Sequence, residues 1–197
     1  MKVLAIGAHY DDVEIGTAGT LLNHVASQDD VYIAVLNADE FRTGDVDIRR
    51  HEQLNALKLM GIPSSSLLEF RSALCDSDLV GELDKVQADI VYTLYEKDTH
   101  QDHVRCSRIG TAVGRKKGIT TFFYDSGSSY EFYPNVFSVV DFDKKVTIFD
   151  CFTSQIDNGA INLDIVRRKE AYWGSLISYD PDLHAEGFLT RKMRMDI

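Results

Sequence analysis

The sequence has 197 residues, of which 44% are hydrophobic and 26% are charged, and both values are ordinary for a globular protein. Its 31 acidic residues outnumber its 21 lysines and arginines and give a formal net charge of −10. This balance argues against nucleic acid or an anionic membrane surface as the main partner, because both attract basic proteins. No apolar run approaches the roughly 18 residues of a membrane span, and the N-terminal run is too short for a signal peptide. We therefore expect one cytoplasmic domain over residues 1–197, without a membrane span.

The cysteines give no sign of a disulfide framework. Cys75, Cys106 and Cys151 are odd in number and far apart along the chain. Their spacing matches neither a set of disulfides nor a cysteine-based zinc site. We therefore expect free thiols, as in a reducing compartment.

The first two thirds of the chain alternate apolar runs with segments of helical pattern. Continuous apolar runs predict strands buried in a parallel sheet at residues 2–8, 31–38, 67–70, 88–95 and 119–125. The intervening segments predict helices at residues 12–27, 48–61, 78–87 and 102–118. Glycines at positions 61 and 118 end two of these helices, which is a common way for a helix to stop.

The last third of the chain is harder to interpret. Residues 136–142 predict a strand, 163–174 a helix, and 185–193 a short strand or tail. The segment KKVTIFDCFTSQI (144–156) is rich in β-branched residues, so propensity alone favours a strand. Its apolar positions 146, 149, 152 and 156 nevertheless follow helical spacing, and we expect a helix.

The alternation of strands and helices predicts an α/β fold in which helices cover both faces of a mostly parallel sheet. In such sheets, sites form at the carboxyl ends of the strands, where strands lead into helices. Two segments combine that location with clustered metal-ligand residues, namely AHYDDVE (8–14) and DTHQDH (98–103). The sheet could bring the two segments together.

The spacing within these segments suits a catalytic metal. His9 and Asp12 are three residues apart across a strand-to-helix turn, and His100 and His103 have the same spacing. A catalytic zinc takes three ligands from His, Asp and Glu and leaves a place for water. If His9, Asp12 and His103 bind it, Asp11 and His100 remain for proton transfer and oxyanion stabilisation. Alone, an Asp-Asp pair is usually a helix cap and an HxxH pair a solvated loop, but together they favour a metal site.

The two segments resemble the signatures Ala-His-Pro-Asp-Asp-x-Glu and His-x-Asp-His of the PIG-L/LmbE-like zinc-dependent N-deacetylases. RRHEQLNALKLMGI, KKVTIFDCFTSQ and AEGF resemble further segments of this family, in the same order. The resemblance covers most of the chain and implies a Rossmann-like fold. It also implies removal of an acetyl group from an N-acetylglucosamine-type sugar or glycoconjugate. Some relatives assemble, so a homo-oligomer stays open.

The resemblance also implies roles for individual residues. The implied ligands of Zn²⁺, or of another divalent metal such as iron or cobalt, are His9, Asp12 and His103. The implied catalytic residues are the general base Asp11, the oxyanion partner His100, and Asp102, which orients a histidine. The resemblance implies a substrate contact for Arg49, and we also expect Tyr10 and Asp98 to contact the substrate. For Arg49, an ordinary surface arginine on a helix is the alternative.

The chain departs from the family pattern at four positions. Tyr10 and Gln101 stand where the family has proline, Phe152 replaces a common histidine, and Ser72 stands where an acid often meets the sugar. The metal ligands are all present, so we expect an intact metal centre beside an unusual substrate pocket. Tyr10 also makes the turn that aims its neighbours less rigid.

Other residues with reactive side chains have simpler explanations. Glu14 lies in the first helical turn, where a structural role is expected rather than catalysis. The G-x-G-x-x-G spacing of a dinucleotide loop is absent around Gly16 and Gly19. Two rival functions remain open at this point. One is a zinc hydrolase of another amide or an ester, and the other is a non-catalytic α/β binding protein.

Overall fold

The strands form one sheet in this computed structural model, which describes residues 1–42, 44–116 and 118–191. In chain order they are β1 Lys2–Gly7, β2 Asp30–Val35, β3 Leu67–Glu69, β4 Ile90–Leu94, β5 Thr120–Tyr124, β6 Val136–Val140 and β7 His184–Thr190. Within the described residues the sheet has seven strands in the order β3-β2-β1-β4-β5-β7-β6. The first five strands are mutually parallel, and β7 is antiparallel to both of its neighbours. The prediction of a mostly parallel sheet is therefore confirmed.

Strand β7 lies inside the sheet although it comes last in the chain. It pairs with β5 on one side and with β6 on the other, through Phe123↔Leu189 and Phe137↔Gly187. The sequence predicts a short strand or tail over 185–193, and the strand is confirmed up to Thr190. Positions 192 and 193 lie outside the described residues.

The helices occur where the sequence predicts them, with two corrections to their bounds. The helix expected to end at Gly118 ends at Gly114, and the helix expected over 78–87 covers Asp76–Leu83. The helices are α1 Asp12–Ala26, α2 Val46–Met60, α3 Asp76–Leu83, α4 Gln101–Gly114, α5 Phe142–Phe149, α6 Thr153–Asp157 and α7 Leu163–Ile177. At the start of α2, the Asp45 side chain accepts hydrogen bonds from the amides of Asp47 and Ile48. Gly61 ends the same helix with a positive φ of 75°, a conformation that glycine adopts at little cost.

The segment 144–156 is helical, as its spacing predicts, but it forms two short helices instead of one. Helix α5 ends at Phe149, and α6 begins at Thr153 after a break around Phe152. The Glu52 carboxylate accepts hydrogen bonds from the Ser154 amide and hydroxyl, both at 2.7 Å. This contact satisfies the start of α6 and so stabilises the break.

The topology creates a crevice between β1 and β4. From β1 the chain passes through α1 to β2 on one side of the sheet centre. From β4 it passes through α4 to β5 on the other side. Because parallel crossovers are right-handed, α1 and α4 then lie on opposite faces. The chain therefore leaves the ends of the adjacent strands β1 and β4 in opposite directions, and ligand sites form at such a switch point.

The core is apolar and closely packed around β1. Residues 3–6 of this strand are fully buried, and Tyr124 of β5 is buried beside them. A Cβ atom at Gly16 of α1 would lie 2.2 Å from the Tyr124 ring, closer than any side chain allows. Gly16 therefore serves close packing of α1 against the sheet. This agrees with the absence of a dinucleotide motif.

Candidate metal centre

The turn after β1 folds the Asp12 carboxylate back onto the strand end. Its Oδ2 atom accepts hydrogen bonds from the amides of Ala8 (3.0 Å) and His9 (2.8 Å). The same oxygen lies 3.4 Å from Nδ1 of His9, so carboxylate and imidazole face each other. All of these groups are buried, which leaves the charge of Asp12 with little water around it.

The first turn of α4 brings a second histidine to the same carboxylate. The Nε2 atom of His103 lies 3.2 Å from Oδ1 of Asp12. His9, Asp12 and His103 each offer one ligand atom, and these three atoms lie within 4.8 Å of one another. The switch point thus unites residues from the ends of β1 and β4, as the sequence predicts.

The protonation of this cluster suits a cation. Burial opposes ionisation of Asp12, but the two flanking histidines outweigh it and hold the pKa of Asp12 well below its usual range. Burial also lowers the pKa of His103, but the carboxylates of Asp12 and Asp98 raise it to about 10. A histidine nitrogen that holds a proton beside a carboxylate can hold a metal ion in its place.

The outer nitrogens of both histidines are held by carboxylates. Oδ2 of Asp102 lies 3.2 Å from Nε2 of His9, and Oδ2 of Asp98 lies 3.1 Å from Nδ1 of His103. Metal-binding histidines commonly have a carboxylate on the nitrogen away from the ion, because it fixes the tautomer and the ring orientation. Nδ1 of His9 and Nε2 of His103 therefore remain for an ion. Two imidazoles and one carboxylate fit Zn²⁺ in a catalytic site.

Asp98 contacts His103 and does not line the cavity, contrary to the substrate contact expected for it. Its side chain is fully buried behind His103. It also accepts hydrogen bonds from Ser128 Oγ (2.7 Å) and Ser129 Oγ (3.1 Å). Burial opposes ionisation, but the bonds from His103, the His100 amide and Ser128 lower the pKa of Asp98. Asp98 therefore remains a carboxylate that positions His103.

Asp11 faces the cavity without belonging to the three-residue cluster. Burial and the nearby charge of Asp12 raise the pKa of Asp11 well above its usual range, while Arg49 opposes this shift from 3.9 Å. A carboxyl with a raised pKa accepts a proton more readily near neutral pH. The backbone of Asp11 has a φ of 98°, which is rare for a residue other than glycine.

His100 lies at the entrance, with 45% of its side chain exposed. Its ring stacks on His103 at 4.6 Å between centroids and meets His9 edge-on at 4.9 Å. Its Nδ1 accepts a hydrogen bond from the Asp102 amide, which assigns the proton to Nε2. Burial and the charges of His103 and His9 lower the pKa of His100. A neutral ring with a donor Nε2–H suits stabilisation of a developing oxyanion.

Arg49 is buried, so the alternative of an ordinary surface arginine does not hold. Its guanidinium donates to Glu40 Oε2 at 3.0 Å and to the Tyr10 carbonyl at 2.9 Å. It also lines the cavity beside Asp11. A contact between Arg49 and the substrate stays a prediction.

Tyr10 does not line the cavity, contrary to the expected substrate contact. Its side chain is buried, and its hydroxyl donates to Glu69 Oε1 at 2.6 Å. The turn carries the Tyr10 side chain towards β3, away from the neighbouring carboxyl of Asp11. Tyr10 thus belongs to the support of the site.

The other departures from the family pattern also lie outside the cavity. Phe152 is fully buried in the hydrophobic core. Ser72 donates to the Asp39 carboxylate through its amide at 2.8 Å and its hydroxyl at 3.3 Å, and its carbonyl accepts a hydrogen bond from Arg105. Glu14 is buried and accepts a hydrogen bond from Gln53 at 2.6 Å, which supports a structural role.

The cavity has a volume of about 440 Å³. Its lining includes two parts that sequence reasoning did not select as site residues: Gln155 at the start of α6, and the loop residues Ser126 and Ser128. The Glu52 contacts that start α6 place Gln155 at the cavity. The only signal for Gln155 in the sequence was its place in the Ser-Gln segment that resembles the family.

The family follows from a comparison with known sequences. The sequence profile of the PIG-L family, described as GlcNAc-PI de-N-acetylase, matches residues 4–113, which is more than half of the chain. The chain belongs to the PIG-L family. The matched range contains every site residue predicted from the sequence, from His9 to His103. The family resemblance of the two signature segments is therefore confirmed.

This PIG-L family protein is similar to the uncharacterized deacetylase YaiS of Escherichia coli. The two are 31% identical over 161 residues, which cover 70% of this chain and 81% of YaiS. None of the helices in the described part of the chain combines the length and apolarity of a membrane span.

Solved structures of other proteins share the fold. A conserved protein of Thermus thermophilus has a TM-score of 0.79 at 21% identity, covering 99% of this chain and 96% of its own. The N,N'-diacetylchitobiose deacetylase of Pyrococcus horikoshii has 0.78 at 20%, with coverages of 96% and 83%. GalB, the 4-carboxy-2-hydroxymuconate hydratase of Pseudomonas putida, has 0.75 at 18%, with coverages of 100% and 98%. Identities this low show the fold alone.

Proposed function

We propose that this PIG-L family protein is a metal-dependent N-deacetylase that removes the acetyl group from an N-acetylglucosamine-type sugar or a small conjugate of it. The observation that carries the proposal is a three-ligand cluster with a separate buried carboxyl beside it. His9, Asp12 and His103 offer ligand atoms within 4.8 Å of one another, and Asp11 lines the same cavity. A binding protein has no need of the second acid.

The ligand cluster would hold Zn²⁺ or another divalent transition metal. When bound, such an ion polarises a carbonyl and lowers the pKa of water towards ~7. Asp98 and Asp102 support this role by holding the outer nitrogens of His103 and His9. No organic cofactor or redox partner is required for hydrolysis of an amide.

Proton transfer falls to Asp11. Its raised pKa favours acceptance of a proton from the attacking water. The protonated carboxyl would then give that proton to the leaving amine. His100 donates from Nε2 to the oxygen that gains negative charge as the amide carbon becomes tetrahedral. Arg49 and Gln155 also line the cavity, where they can orient hydroxyl groups of the sugar.

The size of the cavity and the family both favour an acetylated amino sugar as substrate. A volume of about 440 Å³ lies within the range of small-molecule sites. The family profile carries the description GlcNAc-PI de-N-acetylase, and one structural neighbour is a diacetylchitobiose deacetylase. The polar lining agrees with a substrate that presents several hydroxyl groups.

A panel of substrates tests the proposal. Purified protein is loaded with zinc and incubated with N-acetylglucosamine, N,N'-diacetylchitobiose, an N-acetyl amino acid and a simple acetate ester, and released acetate is measured. We expect acetate from an amino sugar, loss of activity with a chelator, and recovery with added zinc. Preference for the amino acid or the ester would instead support a hydrolase of another bond.

The fold it shares with GalB makes hydration of a carbon–carbon double bond a useful control reaction. Loss of absorbance from a conjugated unsaturated acid, without acetate release from any sugar, would overturn the proposal. Absence of bound divalent metal and of all turnover would favour a binding protein.

A further inference from the structure

Tyr10 stands between two residues of the candidate site, yet its side chain contacts neither the cluster nor the cavity. Its hydroxyl donates to Glu69 Oε1 at 2.6 Å. Glu69 also accepts two hydrogen bonds from Arg50, through Nε at 2.8 Å and Nη2 at 2.9 Å. We refer to Tyr10, Glu69 and Arg50 together as the tether.

Helix α2 also holds Tyr10 at its backbone carbonyl. Arg49, next to Arg50 in the chain, donates from Nη2 to the Tyr10 carbonyl at 2.9 Å. Two consecutive arginines therefore hold Tyr10, one directly at its carbonyl and one through Glu69 at its hydroxyl. Glu69 is the last residue of β3 and pairs with Val35 of β2, so the tether ends on the sheet.

The residue after Tyr10 has an unfavourable backbone conformation. Asp11 has φ 98° and ψ −32°, and its side chain makes no capping hydrogen bond to α1 that would compensate. Residues in sparsely populated backbone regions keep their conformation only when the surrounding structure holds them there. At Asp11 this conformation directs the carboxyl into the cavity.

We propose that the tether is a positioning device for Asp11, and that it replaces the rigidity which proline gives the family signature at this position. Proline restricts the backbone through its ring. Tyrosine leaves the backbone free, and here the hydroxyl contact to Glu69 fixes the turn from outside. The catalytic part of this inference rests on the proposed function of Asp11 as the base.

Two substitutions of Tyr10 separate the hydroxyl contact from the restriction of the backbone. Within the described residues, the Tyr10 amide donates no hydrogen bond, so proline would remove none. Tyr10→Phe removes only the hydroxyl, and Tyr10→Pro installs the family residue. Tyr92 offers a matched control, because it is also buried and its hydroxyl also has one partner, His24 Nε2 at 3.0 Å, away from the cavity.

Steady-state kinetics of zinc-loaded enzyme on its best substrate is the first readout. We expect Tyr10→Phe to lower kcat about 10-fold with KM within about twofold, because a displaced base slows chemistry more than binding. Tyr10→Pro should recover most of the lost kcat, and Tyr92→Phe should match the wild type. A kcat of Tyr10→Phe equal to wild type, or no recovery with proline, overturns the inference.

Hydrogen exchange of metal-free protein is the second readout, and it does not depend on any substrate. The amide of His9, which donates to the Asp12 carboxylate, and the amide of Ile15, which donates to the Asp11 carbonyl, should exchange faster in Tyr10→Phe and at the wild-type rate in Tyr10→Pro. If no substrate is turned over by the wild type, this readout still decides about the tether while the proposed function fails. Unchanged exchange in Tyr10→Phe overturns the tether.

Glu69→Gln tests the tether from its other end. We expect it to lower kcat in the same direction as Tyr10→Phe. Because both changes break one connected set of contacts, the double variant should be no slower than the slower single variant. Losses that add in the double variant would contradict the inference.

Discussion

Replacement of Lys145 tests how the fold around α1 is held together. Lys145 is fully buried, and its Nζ lies 2.5 Å from Glu170 Oε1 and 2.6 Å from Glu186 Oε1. It also donates to the carbonyl of Ile15 at 2.9 Å. Glu186 in turn accepts hydrogen bonds from two amides of α1. One ammonium therefore connects α1, α5, α7 and β7.

The change Lys145→Met keeps most of the side-chain volume and removes the charge. Two buried carboxylates then lose the cation between them, and loss of one partner of a buried ion pair costs about 3–5 kcal/mol. The preceding residue gives a matched control. Lys144 has 70% of its side chain exposed and pairs with Asp141 on the surface, so Lys144→Met should leave the unfolding midpoint unchanged.

The loss of unfolding free energy in Lys145→Met should depend on pH in a defined direction. Burial raises the pKa of Glu170 from 4.5 to about 7, because the charge of Lys145 only partly offsets it. Stability from this group is therefore fully present below pH 4.5 and is lost as the pH rises through about 7. In Lys145→Met both carboxylates lose their cation, so the penalty is greatest at pH 8 and becomes smaller at pH 5.5.

Urea unfolding followed by circular dichroism, at both pH values and on all three proteins, measures this effect. A loss of less than about 1 kcal/mol in Lys145→Met at pH 8 would refute the reasoning about the buried charge. A large loss that is equal at both pH values would refute the assignment to Glu170 and Glu186.

Other parts of the site give separate predictions. Asp98→Asn should weaken zinc binding about 10–100-fold, because His103 loses its charged partner; competition with a chromogenic chelator measures this, and unchanged affinity contradicts it. His100→Ala should lower turnover about 100-fold or more at unchanged zinc content, and equal turnover would exclude the oxyanion role. Glu52→Ala should lower the unfolding free energy by about 1–2 kcal/mol and raise KM, because α6 loses its cap near Gln155; an unchanged KM would argue against Gln155 as a substrate contact.

The juxtaposition of His9, Asp12 and His103 could be predicted because these residues have a simple relation to the fold. His9 and Asp12 come directly after an apolar strand, and His103 opens the helix after another. In a parallel sheet such positions lie at one edge. Local sequence was therefore sufficient to bring together residues that are far apart in the chain.

The supporting contacts could not be predicted, because they depend on partners that no local pattern specifies. The hydroxyl of Tyr10 contacts Glu69, 59 positions later, and Asp98 contacts Ser128, 30 positions later. Position beside the signature segments suggested substrate contacts for both residues. The structure instead gives them the task of holding their neighbours.

The C-terminal third shows the same limit for the fold itself. The spacing of apolar residues in 144–156 correctly predicted helix. The break at Phe152 depends on Glu52, which lies far earlier in the chain. Likewise, the composition of β7 does not indicate that it lies between β5 and β6. Glu186 of this strand contacts Lys145 and α1, and the sequence of the strand does not specify these partners.

We propose that two neighbouring acids have different tasks, with Asp12 holding the metal and Asp11 moving the proton. Asp11→Asn and Asp12→Asn, measured side by side for bound zinc and for acetate release, separate these tasks. We predict that Asp11→Asn keeps the zinc content of the wild type while turnover falls about 100-fold or more, and that Asp12→Asn loses the zinc. Full turnover by Asp11→Asn, or full zinc content in Asp12→Asn, would contradict the proposal.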